Sequence, residues 1–379
     1  MKKLVKFYFE SNVISAGIKT NNNFIRTEDV INGAVVRAAF ANDILLDCEY
    51  AEEKVNGRQY WLAERDAASH PYCAECENKE ICRKFSAMSF SFMVPENSIP
   101  APFTSKVCKS CGTAHPIMDT IMQNGALICK QCGGRMENLK GIIDRDRYCS
   151  IKVKHSTSTH TAIDLNTRTA KEGSLFSVTA IRRGAVYECE IDDCDSGMIY
   201  EGKVIYLGKY SSCGFGKMRI ISVEDIPVHD TAAAIKDMNE KFPSADGREY
   251  ASILFLSSAK LDIDTCGTVP LTSEEYKRIW KARLFGENAP VEVEQVYAQN
   301  IPYRGFDTSL FYKNGSRSKT EFLTEGGSSV KVSFEKGSSE AVRFLKQLEE
   351  KGIGRDTNIG YGKVMVCADI HMLGTGGKL

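Results

Sequence analysis

Two glycine-bounded segments constrain this chain more than any other feature. Gly208 to Gly216 reads Gly-Lys-Tyr-Ser-Ser-Cys-Gly-Phe-Gly and is followed by Lys217, while Gly354 to Gly362 reads Gly-Arg-Asp-Thr-Asn-Ile-Gly-Tyr-Gly and is followed by Lys363. Both spans are nine residues long and end Gly-aromatic-Gly-Lys. Each runs into an apolar stretch of strand character, Met218 to Val223 and Val364 to Cys367. A loop built twice implies a domain built twice. Small residues let a backbone approach a phosphodiester and present its N–H groups, and Lys217 or Lys363 can reach a phosphate. Phe215 or Tyr361 can offer a ring face to a base or prop the loop. Ordinary tight turns leading into a strand carry the same residues, so either loop alone decides little.

With 379 residues, the chain has room for two or three domains of about 100 to 200 residues each, which suits two repeats and an insert. It contains no run of about 18 apolar residues, and its start, Met-Lys-Lys-Leu-Val-Lys-Phe-Tyr-Phe-Glu, reaches an acidic residue too early for a signal peptide. The expectation is a cytoplasmic protein with no membrane partner. Lysine plus arginine equal aspartate plus glutamate at 49 each, so any polyanion site must be local. Lys140 to Gly184 carries nine Lys/Arg against four Asp/Glu, whereas Ala185 to Glu201 carries six acids and no base. Such a run is either a binding face or simply a solvated one.

Eight of the fourteen cysteines fall between Cys48 and Cys132. Cys108-Lys-Ser-Cys111 and Cys129-Lys-Gln-Cys132 are separated by seventeen residues, and each pair is followed by a glycine, Gly112 or Gly133, suited to the knuckle turn that aims amides at thiolates. This is a zinc-ribbon spacing, and the expected ion is a closed, structural Zn²⁺ stabilising an insert with little core of its own. A second cluster contains His70, Cys73, Cys76 and Cys82. Its three cysteines would take His70 or the upstream Cys48 as fourth ligand of a second zinc. An iron–sulfur staple has similar spacing but no accompanying nuclease motif. Cys149, Cys189, Cys194, Cys213, Cys266 and Cys367 are scattered singly and read as packing residues.

The pattern predicts an opening strand over Leu4 to Phe9, a polar loop through Lys19 to Asn23, and a helix capped by Thr27 or Asp29. Gly33 stands at that helix's entrance and Val36, Ala39 and Phe40 lie on its inner face. Arg37 is either close to the loop that enters the helix or a surface arginine. Tyr148 to Lys154, Ala185 to Ile191 and Met198 to Leu207 read as strands, and His229 to Phe242 as a linker helix. The second half predicts a strand over Tyr250 to Ser257 and a helix over Ser273 to Phe285 with a Thr272/Glu275 capping box. A last helix carries Ala341, Phe344, Leu345 and Leu348 on one face and stops at Gly352. This order is that of a split βαβ, or RRM-like, unit. The expected fold class is α+β, two ferredoxin-like domains with a cysteine-rich zinc-ribbon insertion in the first. The boundaries are 1–69 and 136–225 for the first domain, 70–135 for the insertion, 226–248 for the linker and 249–379 for the second domain.

Thr27 to Phe40 resembles the T-x-D-x-I-x-G-x-x-x-R-x-A motif of CRISPR-associated RAMP proteins. Val153 to Phe176, with His155, His160, Asp164 and Arg168, resembles their central segment. The two glycine loops resemble their glycine-rich loops, and Leu323 to Ser333 is similar to the loop and strand before the last helix of two-domain RAMP subunits. Within that superfamily, the two units and cysteine-rich insert are most similar to the Csx-ten family of type III-D CRISPR effector complexes. The resemblance implies a noncatalytic role in antiviral defence: holding guide (CRISPR) RNA, by its repeat-derived 5′ tag, beside other RAMP subunits and the large subunit, and meeting target RNA only indirectly. It further implies that Gly33, Arg37, His155, Arg168, Lys209, Gly214, Phe215, Gly216, Lys217, Arg355, Gly360, Tyr361, Gly362 and Lys363 line the RNA.

Three other functions compete. A RAMP endoribonuclease could use His155 and His160 as an acid–base pair, although residues five apart on a strand and loop need not share a face. A backbone subunit could cut target RNA through Asp29 or Asp164, but two repeats in one chain argue against it. A zinc-ribbon DNA-binding regulator would leave the repeated loops unexplained.

Overall fold

In the computed structural model, the strand behind each glycine loop pairs antiparallel with the strand that opens its half of the chain. Two compact units result. Unit 1 comprises Met1–Asn97, Lys152–Pro227 and Asn358–Gly360; unit 2 comprises Ser98–Ile151, Val228–Thr357 and Tyr361–Leu379. The structure describes residues 2–21, 23–46, 48, 54–55, 58–59, 74–112, 117–123, 128–164, 166–263, 272–304 and 320–373.

Unit 1 opens with β1 (Lys3–Phe9), β2 (Ala16–Asn21), β3 (Phe24–Thr27), α1 (Gly33–Leu46), α2 (Lys79–Phe85), β4 (Ser89–Phe90) and β5 (Val94–Pro95). Short strands follow in unit 2: β6 (Ser98–Pro100), β7 (Ser105–Cys108), β8 (Met118–Asp119), β9 (Met136–Asn138), β10 (Ile142–Asp144) and β11 (Ser150–Ile151). Unit 1 resumes with β12 (His155–Ile163), β13 (Ala170–Ile181), β14 (Val186–Asp192), β15 (Val204–Tyr206) and β16 (Lys217–Asp225). The rest of unit 2 holds α3 (Thr231–Lys241), β17 (Arg248–Phe255), α4 (Ser273–Leu284), β18 (Glu292–Tyr297), β19 (Asn300–Tyr303), β20 (Glu321–Thr324), β21 (Ser329–Glu335), α5 (Ser339–Lys351) and β22 (Val364–Val366). The class is mixed α+β. Among the described residues no helix is long and apolar enough to cross a membrane.

In unit 2 the antiparallel sheet runs β18-β21-β17-β22. Helix α4 lies between the first and second strands in sequence and α5 between the third and fourth, a βαββαβ arrangement. Strand alternation sorts its two faces. Ala251, Ile253 and Phe255 join Val330, Val332 and Phe334 in a core with Trp280, Leu284, Ala341 and Leu345 of the helices. Leu254, pointing the other way, joins a second core with Ile99, Val107, Leu139 and Ile143 of segment 98–151. That segment therefore covers one end of the sheet face that the helices leave open. The Thr272/Glu275 capping box forms, and Gly352 caps α5. Helix α3 adds Ile235 and Met238 to the unit 2 core, so the stretch with the sequence of a linker folds as part of that unit.

Unit 1 repeats the sheet as β15-β16-β1-β14-β4, with β5 also on β14. Val5, Phe7, Phe9, Tyr187, Cys189 and Ile191 form its core with Val36, Ala39, Phe40 and Ile44 of α1. No helix stands between β14 and β16. Cys194 and Asp195 both adopt left-handed φ values of 51° and 55°, which a right-handed helix excludes. The strand expected over Met198 to Leu207 forms only at Val204–Tyr206.

Other local expectations shift for equally physical reasons. The predicted loop through Lys19 is strand as far as Asn21. The strand expected from Tyr148 shrinks to Ser150–Ile151, because Tyr148 has φ 53° and closes a turn onto the Asp144 carbonyl. Neither Thr27 nor Asp29 caps α1. Asn32 Oδ1 accepts from Ala34 N at 2.8 Å, while the Thr27 hydroxyl donates to the Thr179 carbonyl at 2.5 Å.

Candidate nucleic-acid interface and metal centre

The two glycine loops are bound to their sheets by the same hydrogen bonds. In unit 1, Leu207 N donates to Gly216 O at 2.9 Å, Lys209 N to Ile14 O at 2.9 Å and Gly216 N to Asn12 O at 2.8 Å. Lys217 N donates to Ser11 Oγ at 2.9 Å. In unit 2, Ile353 N donates to Gly362 O at 2.8 Å, Arg355 N to Lys260 O at 3.1 Å and Gly362 N to Ser258 O at 2.8 Å. Lys363 N donates to Ser257 Oγ at 2.9 Å. Each loop then places one residue in the left-handed region, Tyr210 at φ 59° or Asp356 at φ 61°, before a 3₁₀ turn. A side chain at Gly216 or Gly362 would overlap the Leu207 or Ile353 carbonyl, and both glycines have positive φ. Only glycine fits there.

The loops share a backbone and differ in chemistry. In the second, Arg355 pairs with Asp262 at 2.7 Å and Glu321 at 3.4 Å, and Lys260 pairs with Asp356 at 2.6 Å. Asp262 and its acidic neighbours raise the pKa of Arg355 and hold it charged. Tyr361 is 3% exposed, with the Lys260 ammonium 4.6 Å from its ring centre. The expectation that its ring offers a face to a base is therefore corrected: it props the loop. Lys363 is half-buried. Gly360, grouped with unit 1, has a positive φ and lies against the Ser91–Phe92 backbone.

In the first loop, residues 208–214 are all exposed. Lys217 is held by Glu10 at 2.8 Å, an interaction that raises its pKa. Phe215 is half-buried against Ile14, Val178 and Ala180. Gly33 packs beneath the Phe90 carbonyl. Arg37 turns toward α2, with its guanidinium 4.8 Å from the Phe85 ring centre.

The basic stretch Lys140 to Gly184 builds the surface beside this loop, and sequence reasoning missed its aromatic row. Strands β12, β13, β3 and β2 form a separate sheet, and the outer halves of β12 and β13 are exposed, Ile163 and Leu175 among them. At the hairpin tip Asp164 accepts from the Thr167 and Asn166 amides, which lowers its pKa and explains it as a turn residue. Lys154, Arg168, Lys171, Arg182, Arg183 and Lys209 are exposed and make no ion pair among the described residues. His160 and Phe176 stack at 5.5 Å and 22°, Phe176 and Tyr210 at 6.1 Å and 25°, and Phe215 meets His160 edge-on at 6.1 Å. The local signals were Tyr210 and Phe215 within the loop, since His160 and Phe176 come from elsewhere in the chain.

His155 and His160 do not form a pair. Five residues apart on β12, they point to opposite faces. His160 bonds Ser158 Oγ at 2.8 Å, whereas His155 Nε2 lies 3.2 Å from Asp29 Oδ1.

The ribbon cysteines converge. The Sγ atoms of Cys108, Cys129 and Cys132 lie within 4.8 Å of one another, and Cys132 Sγ is 3.4 Å from Cys108 Sγ and 3.5 Å from Cys111 Sγ. Four thiolates at about 2.3 Å from a tetrahedral zinc would stand about 3.8 Å apart, so the donor set fits that ion. Although the Gly134 amide favours its thiolate, hydrogen bonds with the Cys108 and Cys111 sulfurs push Cys132 up to about 12. Of the second cluster, Cys48, Cys76 and Cys82 are described; His70 and Cys73 lie outside the described residues. No second group of three close ligands occurs among the described residues.

No protein-family model and no curated protein matches the sequence. Among solved structures, the chain is similar to one in a cryo-EM structure of the type III-B Cmr-beta bound to cognate target RNA and AMPPnP, at 12% identity, 96% of both chains and TM-score 0.45. It is similar to another in Cmr-beta bound to cognate target RNA, at 14% identity, 96% of both chains and TM-score 0.45. A CRISPR-associated protein Cas6 aligns at 10% identity over 96% of this chain and 98% of its own, with TM-score 0.36.

Replacing Gly216 by Ala will lower unfolding stability by about 2 kcal/mol or more through overlap and left-handed strain. Gly214→Ala, with positive φ but open space around it, will cost about 1 kcal/mol; denaturant titration of both variants measures the difference. Metal analysis of purified protein should find zinc, and Cys132→Ser should remove one equivalent and lower the melting temperature of the chain.

Proposed function

We propose that the chain is a single-stranded RNA-binding subunit of the CRISPR-associated RAMP class. The observation that carries this is the concentration of exposed cations without ion pairs among the described residues, Lys154, Arg168, Lys171, Arg182, Arg183 and Lys209, around the first glycine loop and the β12–β13 hairpin. A neutral chain with such a local field can hold a polyanion without being basic throughout. The loop sets exposed amides beside those cations, and its backbone is fixed by the strap to residues 11–14, so little ordering is needed on binding.

More finely, both units are ferredoxin-like RAMP domains, supported by the shared strand order. The zinc ribbon is structural, supported by the convergent cysteines. The RNA is a guide carrying a repeat-derived 5′ tag, in the company of other RAMP subunits and the large subunit of a type III effector, as in the Csx-ten family. Gly33, Gly214, Gly216, Gly360 and Gly362 shape the backbone; Arg168 and Lys209 meet phosphates directly. Arg37, Lys217, Arg355 and Lys363 would act through the folded loops and helix rather than as exposed phosphate partners.

A second function is favoured by one contact, that of His155 Nε2 with Asp29 Oδ1 at 3.2 Å, which offers an acid–base dyad beside α1 for cleavage of target RNA. Binding and cleavage separate cleanly in one experiment. Single-stranded RNA should bind the wild-type chain with an affinity that falls steeply with salt, and Arg168→Ala with Lys209→Ala should each weaken it by several-fold across sequences. Intact RNA after prolonged incubation supports the binding role. Cleavage lost in Asp29→Ala establishes the nuclease, and no salt-dependent binding removes the proposal.

A further inference from the structure

The two glycine loops carry the same backbone into opposite chemical uses. At the left-handed position the second loop has Asp356 at φ 61°, a residue type that tolerates this region, whereas the first has Tyr210 at φ 59°. A bulky aromatic residue there is unusual and strained, and such strain concentrates at functional sites. Tyr210 is 38% exposed and ends a row of near-parallel rings, Tyr210–Phe176–His160, whose members come from the loop and from both strands of the β12–β13 hairpin. Ser158 Oγ holds the His160 ring by its Nε2 at 2.8 Å, and Phe215 braces it edge-on. The row is thus organised before any ligand arrives. Around it stand Lys209, next in sequence to Tyr210, and the exposed cations of the hairpin.

We infer that Tyr210 is a stacking site for one unpaired nucleobase, extending the Tyr210–Phe176–His160 row, and that the second loop has lost this capacity. The inference rests on the RNA-binding function proposed above. The position corresponding to Phe215 in the second loop is the buried Tyr361. The one corresponding to Lys209 is Arg355, already engaged by Asp262 and Glu321. The one corresponding to Ile14 is Lys260, which lies over the Tyr361 ring and pairs with Asp356. An RNA strand approaching the second loop would meet carboxylates and spoken-for cations. At the first it would meet an exposed ring and cations without ion pairs among the described residues. Base stacking is tolerant of sequence because every base presents a π face, so the site selects unpaired RNA over duplex rather than one base over another.

The test is Tyr210→Asn in the full chain, because asparagine suits left-handed φ and should leave the loop folded. Wild-type and variant protein are titrated into a short single-stranded RNA carrying one 2-aminopurine, following anisotropy for affinity and 2-aminopurine fluorescence for stacking. The expected result is a melting temperature at or above wild type, affinity weaker by about tenfold or more, and loss of the stacking-dependent quench. Tyr210→Trp should restore both. Wild-type affinity and quench retained in Tyr210→Asn would overturn the stacking site while leaving RNA binding in place. A wild-type chain that gives no anisotropy change with RNA would overturn both.

Discussion

The structure depends on a small set of main-chain hydrogen bonds that strap each glycine loop to the far end of its first strand. Gly216 N to Asn12 O, Lys209 N to Ile14 O and Lys217 N to Ser11 Oγ hold one loop; Gly362 N to Ser258 O, Arg355 N to Lys260 O and Lys363 N to Ser257 Oγ hold the other. At about 1 kcal/mol each these bonds are individually modest. Their effect is geometric: they lock the fourth strand of each sheet beside the first, and they fix a run of nine residues without using any side chain within it. That freedom is what allowed the two loops to diverge.

Divergence follows from electrostatics. Around the second loop, Asp262, Glu321 and Asp356 neutralise Arg355 and Lys260 and close the loop on itself. Around the first, Glu10 takes Lys217 and Arg219 at 2.8 and 2.6 Å, which secures the strand and leaves Lys209 outside. The same fold thus supplies one internally balanced corner and one with charge to spare. Between β14 and β16 unit 1 has no counterpart of α5 and carries the short strand β15 at the sheet edge.

Some of this was readable in the residues and some was not. The pairing of the two glycine loops was, because Gly216 and Gly362 hold positions that only glycine fits. So was the convergence of Cys108, Cys111, Cys129 and Cys132, since all four lie within one short stretch. The hydrophobic face of α5 followed from period alone. Missed were features built by distant residues: the row joining His160, Phe176 and Tyr210, and the carboxylates of Asp262 and Glu321 that engage Arg355. The absent helix after β14 was hidden because paired left-handed residues at Cys194 and Asp195 have no strong residue preference. His155 and His160 looked like a pair in sequence, and only strand parity separates them.

The covering of the unit 2 sheet by segment 98–151 has a consequence for how the protein is made. Ile99, Val107, Leu139 and Ile143 leave the ribosome long before Leu254, Ala368 and Ile370, the residues that complete their core. At synthesis rates of about 5 to 20 residues per second, the segment waits roughly 10 to 40 s between residue 151 and strand Val364–Val366. During that interval its apolar side lacks Leu254, Ala368 and Ile370, and its short strands and four cysteines must hold it together. A metal ion held by those cysteines would then steady one half of a core until the other half is synthesised.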